Sequence, residues 1–368
     1  MRDFRSIINI LGLLLCIESF AMIIPLLFDL LNNNDDWKQF FYSSIFTFFI
    51  GIVLFISFKK EKLKIDLRQA FVLTFSSWIL IAIFGSIPFI YSSSSLSYTD
   101  AFFESVSGIT TTGATVITNL DLLPEGILIW RSLLQWFGGI GIIVLALAIL
   151  PTLQIGGMQL LHMEHDDPYE KTIPKINQFV LEIILLYIAL SIICFLLYYF
   201  NGMSGFDSII HAMTTISTGG FSSHDLSFAY FDSQSIETIS ILFMIIGSLP
   251  FVIYLQFIHG NINSFFKDEQ IKLFFIILLI IILLTTLWLN LYKSLELSNA
   301  FRLAIFNITS ILTGTGYVNS NYSTWGSFGL VIMIVIMFIG GCAGSTTGGI
   351  KIFRLQLLFK GAKTQIKK

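Results

Sequence analysis

Apolar stretches of about 20 residues, the length that crosses a bilayer, recur along this chain between short polar segments. They fall at about 7–31, 38–58, 70–91, 126–150, 178–200, 236–259, 271–292 and 326–350, and they predict eight membrane helices. The first is too long, and too poorly followed by a cleavage site, to be a removable signal peptide. Three further segments, 97–109, 204–217 and 298–312, have apolar residues at helical spacing but are too short to span. Each predicts a half-helix dipping into the membrane, with Ser97 and Asp100, Ser204 and Asp207, or Ser298 near its start as capping groups.

Every half-helix runs into a short Thr/Gly run. The runs are Thr111-Thr112-Gly113-Ala114, Thr218-Gly219-Gly220-Phe221 and Gly314-Thr315-Gly316-Tyr317. Their last glycines lie 107 and then 96 residues apart, so a unit of about a hundred residues recurs. A span, a half-helix, a Thr/Gly run and a second span is how a pore loop is written between two membrane helices. Carbonyl oxygens there replace the water around an ion, and glycine adopts the backbone angles that a β-carbon forbids. Threonine offers a hydroxyl as well as a carbonyl. The negative dipole ends of the half-helices point at the runs and favour a cation. Gly and Thr are also ordinary packing residues between membrane helices, but three runs at equivalent places on one side of the membrane argue for permeation. The predicted fold class is an all-α polytopic membrane protein. It has a leading helix pair (1–58) and three helix–pore-loop–helix repeats at 70–150, 178–260 and 271–360.

Composition removes the soluble alternatives. Of 368 residues, 55% are hydrophobic and 12% charged, with a mean hydropathy of +0.82, whereas soluble chains carry about 25% charged residues. The net charge of −2 conceals a polarity. With the N-terminus cytoplasmic, 17 of the 21 Lys and Arg fall on inner segments, and only Lys38, Lys293 and Arg302 on outer ones. This is a strong positive-inside signal. The outer segments carry Asp100, Glu104, Asp121, Asp207, Asp225 and Asp232 among their acids, an arrangement that would concentrate cations at a mouth. The three cysteines have neither disulfide nor metal spacing.

Two segments break the membrane-helix pattern. In Trp130–Gly141, Arg131 is costly within an apolar span unless it faces protein or water. It either pairs with an acid of the half-helix, such as Glu104, as a structural brace, or snorkels to the outer headgroups. The second segment holds Gly340, Gly341, Gly344, Ser345, Thr346, Thr347, Gly348 and Gly349, too many small residues for a stable helix. Irregular backbone at membrane depth is tolerated where it is buried or lines a watery cavity, so a flexible loop there is a candidate gate. It is not a phosphate-cradling loop, because Ile350 follows Gly349 where that motif needs Lys. The cluster His162-Met163-Glu164-His165-Asp166-Asp167 lacks the spacing of a helical metal site. No nucleophile–base pair or metal-ligand set supports an enzyme, and nothing points to nucleic acid.

The residues resemble the Trk/Ktr/HKT superfamily of potassium transporters, most closely its bacterial Trk membrane subunit. The resemblance is carried by Ser107–Ala114, Trp130–Gly141, Ser217–Ser222, Thr313–Tyr317 and Gly340–Lys351, in that order. It implies a pseudo-fourfold pore in which Gly113, Gly220 and Gly316 are filter glycines, flanked by Thr111, Thr112, Thr218, Gly219, Gly314 and Thr315 as K⁺-binding positions. It also makes Gly340–Gly349 the gating loop. Glycine rather than serine at 113 favours K⁺ over Na⁺. A homodimer in the lipid of the bacterial inner membrane and a cytosolic nucleotide-binding regulatory subunit are implied too, with K⁺ as transported ion and no bound cofactor. The family has a fourth repeat, about a hundred residues beyond the third, which this chain lacks. The expectation is therefore a truncated form of a longer transporter, with a non-conducting remnant or a Na⁺-permeable or ion-coupled cation transporter as alternatives. A small-solute transporter with broken helices is the rival from another class, but such proteins often show inverted repeats, and these repeats are same-handed.

Overall fold

The computed structural model describes residues 4–59, 67–153 and 172–366. Its helices are α1 (Arg5–Ala21), α2 (Ile23–Leu31), α3 (Trp37–Ser57), α4 (Leu67–Gly85), α5 (Ile87–Tyr91), α6 (Tyr98–Ile109), α7 (Glu125–Leu153) and α8 (Thr172–Phe200). They continue as α9 (Gly205–Ile216), α10 (Gln234–Ser248), α11 (Phe251–Ile258), α12 (Asn263–Lys267), α13 (Glu269–Lys293), α14 (Leu297–Leu312), α15 (Ser327–Met337) and α16 (Ile352–Ile366). Among the described residues there is no strand, only an isolated bridge between Ile339 and Ile350.

Six described helical segments are long and apolar enough to cross a membrane: Arg5–Leu31, Trp37–Ser57, Arg68–Tyr91, Glu125–Ile143, Gln178–Phe200 and Glu269–Lys293. The other two predicted spans are not simple helices. The stretch 236–259 is α10 and α11, bent by 94° at Leu249-Pro250, where Pro250 cannot donate to the preceding turn. The stretch 326–350 is helical only as α15, whose 11 residues end before the glycine-rich segment.

The chain forms two compact units. The first comprises residues 1–138 with 223–225, and the second 139–222 with 226–368. In the first, α1 and α3 cross closely because Gly12 and Gly51 present no side chain. A β-carbon on Gly12 would lie 2.5 Å from the Phe55 nitrogen and 2.7 Å from the Gly51 carbonyl oxygen. Small residues permit this approach where lipid provides no hydrophobic drive between helices. Asn9 Nδ2 donates to the Phe55 carbonyl at 2.6 Å across the same contact. Asp29 Oδ1 accepts from the Gly126 amide at 2.8 Å, placing a carboxylate at the start of α7, where the helix dipole favours it.

In the second unit, the faces of α13, α14 and α15 meet around Phe274, Ile282, Ala304, Ile308, Leu312 and Met333. Asp268 caps α13 by accepting from the amides of Gln270 and Ile271 at 2.7 and 3.0 Å. Large apolar side chains such as Leu185, Ile193, Leu283, Leu287 and Val331 face outward, as a lipid-facing surface requires.

Candidate functional site

The three half-helices are α6, α9 and α14. Ser97 caps α6 by accepting from the Asp100 amide at 3.2 Å, and Ser204 caps α9 by accepting from the Asp207 amide at 3.0 Å. The third differs from expectation. The N-cap of α14 is Glu296, without a side-chain cap, and Ser298 lies inside the first turn. The helix has 16 residues where α6 and α9 have 12 each, so it starts before the serine.

Each Thr/Gly run is the C-terminal cap of its half-helix. Thr111, Thr218 and Gly314 have φ of 55°, 50° and 75°, and Gly113, Gly220 and Gly316 have φ of 78°, 78° and 87°. Left-handed residues thus recur at alternate positions, and the backbone is the same three times. The first of each pair ends the helix as a left-handed cap. The Thr112 amide reaches back to the Ser107 carbonyl, and the Gly219 amide to the Thr214 carbonyl, both at 2.9 Å. Threonine with positive φ is strained because of its branched β-carbon, at about 1–3 kcal/mol per residue. Gly314 meets the same demand without that cost.

In the first unit the run is held by ions. Arg131 Nε donates to Glu104 Oε1 at 2.7 Å, and both side chains are buried, 1% and 0% exposed. Glu104 also accepts from the Thr115 hydroxyl at 2.9 and 3.0 Å and from the Val116 amide at 3.1 Å. Arg131 Nη2 donates to Thr115 Oγ1 at 2.9 Å. The Arg131 side chain is thus buried against Glu104 and Thr115 rather than extended to the surface. Gly138 lets α7 approach the end of α6, since a β-carbon there would sit 2.0 Å from the Ile109 carbonyl oxygen. Outside the spans, Asp121 bonds His224 Nδ1 and the Asp225 amide. The hydrogen bond from His224 holds the Asp121 carboxyl below the usual carboxylate range.

In the second unit the other two runs lie against each other. A β-carbon on Gly220 would fall 1.7 Å from the Thr315 carbonyl oxygen, so glycine is obligatory there. The Tyr317 hydroxyl bonds Thr214 Oγ1 at 2.5 Å, tying the residue after Gly316 to α9. The Gly340–Gly349 segment sits against both runs. Thr346 Oγ1 is 3.0 Å from Thr218 Oγ1 and donates to the Gly247 carbonyl at 3.0 Å. Gly348 lies beside Gly314, its nitrogen 3.7 Å from where a β-carbon on Gly314 would be.

This segment is non-helical as its composition predicts, but it is not a loose loop. Ser345, Thr346 and Thr347 are buried. The Cys342 amide donates to the Ser248 carbonyl, and the Phe251 amide to the Gly344 carbonyl, both at 3.0 Å. Lys351 Nζ donates to the Thr347 carbonyl and, at 3.0 Å, to Thr347 Oγ1. The bend between α10 and α11 frees backbone groups, and the segment satisfies them.

Two contributors escape a reading of the sequence. Arg302 on α14 donates to Glu237 Oε2 on α10 at 2.8 Å and reaches Asp232 at 3.3 Å, a second brace whose partners are 65 and 70 residues apart. His211 on α9 packs edge-on to Phe228 and Phe231, and no motif marks it. The His162–Asp167 cluster lies outside the described residues. Among the described residues no three His, Cys, Asp or Glu gather as a metal site would require.

The family model described as TrkH, cation transport protein, matches residues 37–368. The chain belongs to the TrkH family. It is 39% identical over 372 residues to the Trk system potassium uptake protein TrkH of Escherichia coli K12, covering 99% of this chain and 77% of that one. It is 36% identical to the Trk system potassium uptake protein TrkI of Halomonas elongata, covering 100% and 75%. The crystal structure of the potassium transporter TrkH from Vibrio parahaemolyticus superposes with a TM-score of 0.92 at 37% identity, over 100% of this chain and 76% of that one. This TrkH-family chain is accordingly a multi-pass membrane transport protein and not an enzyme.

Proposed function

We propose that this TrkH-family chain takes up K⁺ across the bacterial inner membrane through a carbonyl-lined filter. Thr111, Thr112 and Gly113, Thr218, Gly219 and Gly220, and Gly314, Thr315 and Gly316 each supply oxygens to it. The observation that carries the reading is the backbone: left-handed residues at the same two positions in all three runs, each capping a half-helix whose negative end faces the run. Alternate handedness turns successive carbonyls toward one side, as a site that replaces a hydration shell needs. The ion is K⁺ because the relatives carry that name, and Gly113 stands where serine would accompany Na⁺.

The Gly340–Gly349 segment is the gate in this reading. Its support is that Thr346 and Gly348 touch the second and third runs while the segment itself is hinged on hydrogen bonds rather than on helix. Opening in this reading includes release of Thr218, Ile216 and Gly247 by Thr346 and of Thr347 by Lys351. The charge map supports a cytoplasmic N-terminus in this reading. The outward apolar faces serve lipid and a second copy of the chain, and the basic inner segments serve a cytosolic nucleotide-binding regulator.

Growth of a K⁺-uptake-deficient bacterium on low K⁺ tests the proposal, with the chain expressed alone and extended through any downstream reading frame. Restored growth in at least one form is expected, and Gly113→Ser should admit Na⁺. Failure of both forms removes the transport reading. Rescue with unchanged K⁺/Na⁺ preference in Gly113→Ser removes the filter assignment.

A further inference from the structure

Glu104, His211 and Asn307 occupy one register. Each lies nine residues before its filter glycine, at 113, 220 and 316, and each is fully buried at 0% exposure. All three side chains end on the stretch just past that glycine. Glu104 accepts from Thr115 and from the Val116 amide. His211 Nε2 meets Ser222 Oγ at 2.9 Å. Asn307 Nδ2 donates to Asn319 Oδ1 at 2.5 Å and Ser320 Oγ at 3.3 Å. Each partner sits two to four residues after the glycine.

His211 and Glu104 are anchored through their other polar atom too, whereas Asn307 uses its Nδ2 on both sides and leaves Oδ1 without a partner. His211 Nδ1 bonds the Asp207 carbonyl at 2.9 Å, and Asn307 Nδ2 bonds the Leu303 carbonyl at 2.9 Å, each one turn back in its own helix. A carboxylate has no hydrogen to give a carbonyl. Glu104 is instead anchored by Arg131, which accounts for a buried arginine in the first repeat. With Nδ1–H donated to the carbonyl, the neutral ring presents Nε2 as an acceptor for the Ser222 hydroxyl.

We infer that Glu104, His211 and Asn307 form one positioning element, repeated in register, that pins the outgoing chain to the half-helix and thereby sets the cation discrimination of each run. The inference rests on the filter reading above. Two left-handed residues separated by one other make a tight reversal that the run cannot hold by itself, since glycine has the most freedom to lose. A buried polar side chain bridging the helix before the run and the chain after it fixes both ends of the reversal. Three unrelated side chains at one register bridge to the same side of their runs, and satisfying buried polar groups does not account for it, since Asn307 bridges while its own Oδ1 stays without a partner.

Hydrogen–deuterium exchange on the purified full chain tests the mechanical part, read over 114–118, 221–224 and 317–320. Unfolding midpoints in KCl and in NaCl test the discrimination. His211→Ala and Asn307→Ala should each speed exchange about tenfold in their own window, the equivalent of one lost hydrogen bond, and leave the other two unchanged. The excess stabilisation by K⁺ over Na⁺ should shrink in both. His211→Asn, which transplants the residue of the third repeat, should restore exchange and the K⁺ excess. Unchanged exchange in the altered window, or equal quickening in all three, overturns the inference. So does a K⁺ excess that survives both alanine variants. If the wild-type chain shows no K⁺ excess, the filter reading fails with the claim on discrimination, and the exchange windows still decide whether the pins exist.

Discussion

The first Thr/Gly run and the second share a backbone, left-handed at the first and third residues, but their surroundings hold them by opposite means. Around the first, a guanidinium and a carboxylate, both buried, carry the chain beyond Gly113. Around the second, neutral groups do the same work: an imidazole, hydroxyls and the carbonyls of a bent helix. A charged brace is rigid and strongly dependent on both partners, because either ion alone in a dry site is costly. A neutral network loses less when one member goes, and its hydroxyls can exchange partners. The immediate supports of the two runs thus differ in charge, and the segment proposed as a gate touches the second.

Breaking the ionic side should have the largest effect. Arg131→Leu strands Glu104 and is expected to cost about 3–5 kcal/mol, measured as loss of folded chain in detergent. Arg131→Leu with Glu104→Gln should recover a large part of it, and equal losses would show that the pair is not the source of the rigidity. On the neutral side, Gly220→Ala adds a β-carbon against the Thr315 carbonyl at a left-handed φ. It should cost on the order of 2–3 kcal/mol from strain and overpacking and abolish K⁺-dependent stabilisation, which a K⁺ titration of the unfolding midpoint reads.

Thr346→Val sharpens the comparison, because it removes hydroxyl bonds to Thr218 and Gly247 without changing shape. About 1 kcal/mol of stability should be lost, with faster exchange confined to 340–351. If Thr346→Val unfolds the chain as Arg131→Leu does, the proposed difference between the regions is wrong. The smallest effect belongs to Asp121→Asn, at an exposed pair worth less than about 1 kcal/mol. Because His224 holds the Asp121 carboxyl below its usual range, the contribution is present at neutral pH and is lost as pH falls through the depressed value. A wild-type minus Asp121→Asn difference in unfolding midpoint should therefore vanish on acidification.

Local chemistry is legible in the order of residues alone. The spans follow from runs of apolar residues, and the left-handed backbone at 113, 220, 314 and 316 from glycines placed after half-helices, while that at Thr111 and Thr218 is not legible. The break at Gly340–Gly349 follows from residues that cannot sustain a helix. For Arg131, spacing leaves pairing with Glu104 and snorkelling both open, since depth in the membrane cannot be read from it. Ser298 looks like a cap and is not one, because composition does not reveal that α14 begins before it. His211, Asn307 and the Arg302–Glu237 pair carry no motif, although the nine-residue offset of the first two from Gly220 and Gly316 can be counted along the chain.

What this sequence determined by itself is therefore periodic and local: helices, half-helices, turns and the sign of charge along the chain, each governed by neighbours within a few residues. Only the tertiary structure decided which buried polar groups meet. Thr346 finds Thr218 across 128 residues, and Tyr317 finds Thr214 across 103. Such pairings depend on which faces the packed helices turn toward one another, and the need of every buried polar group for a partner is satisfied only when the whole fold is in place.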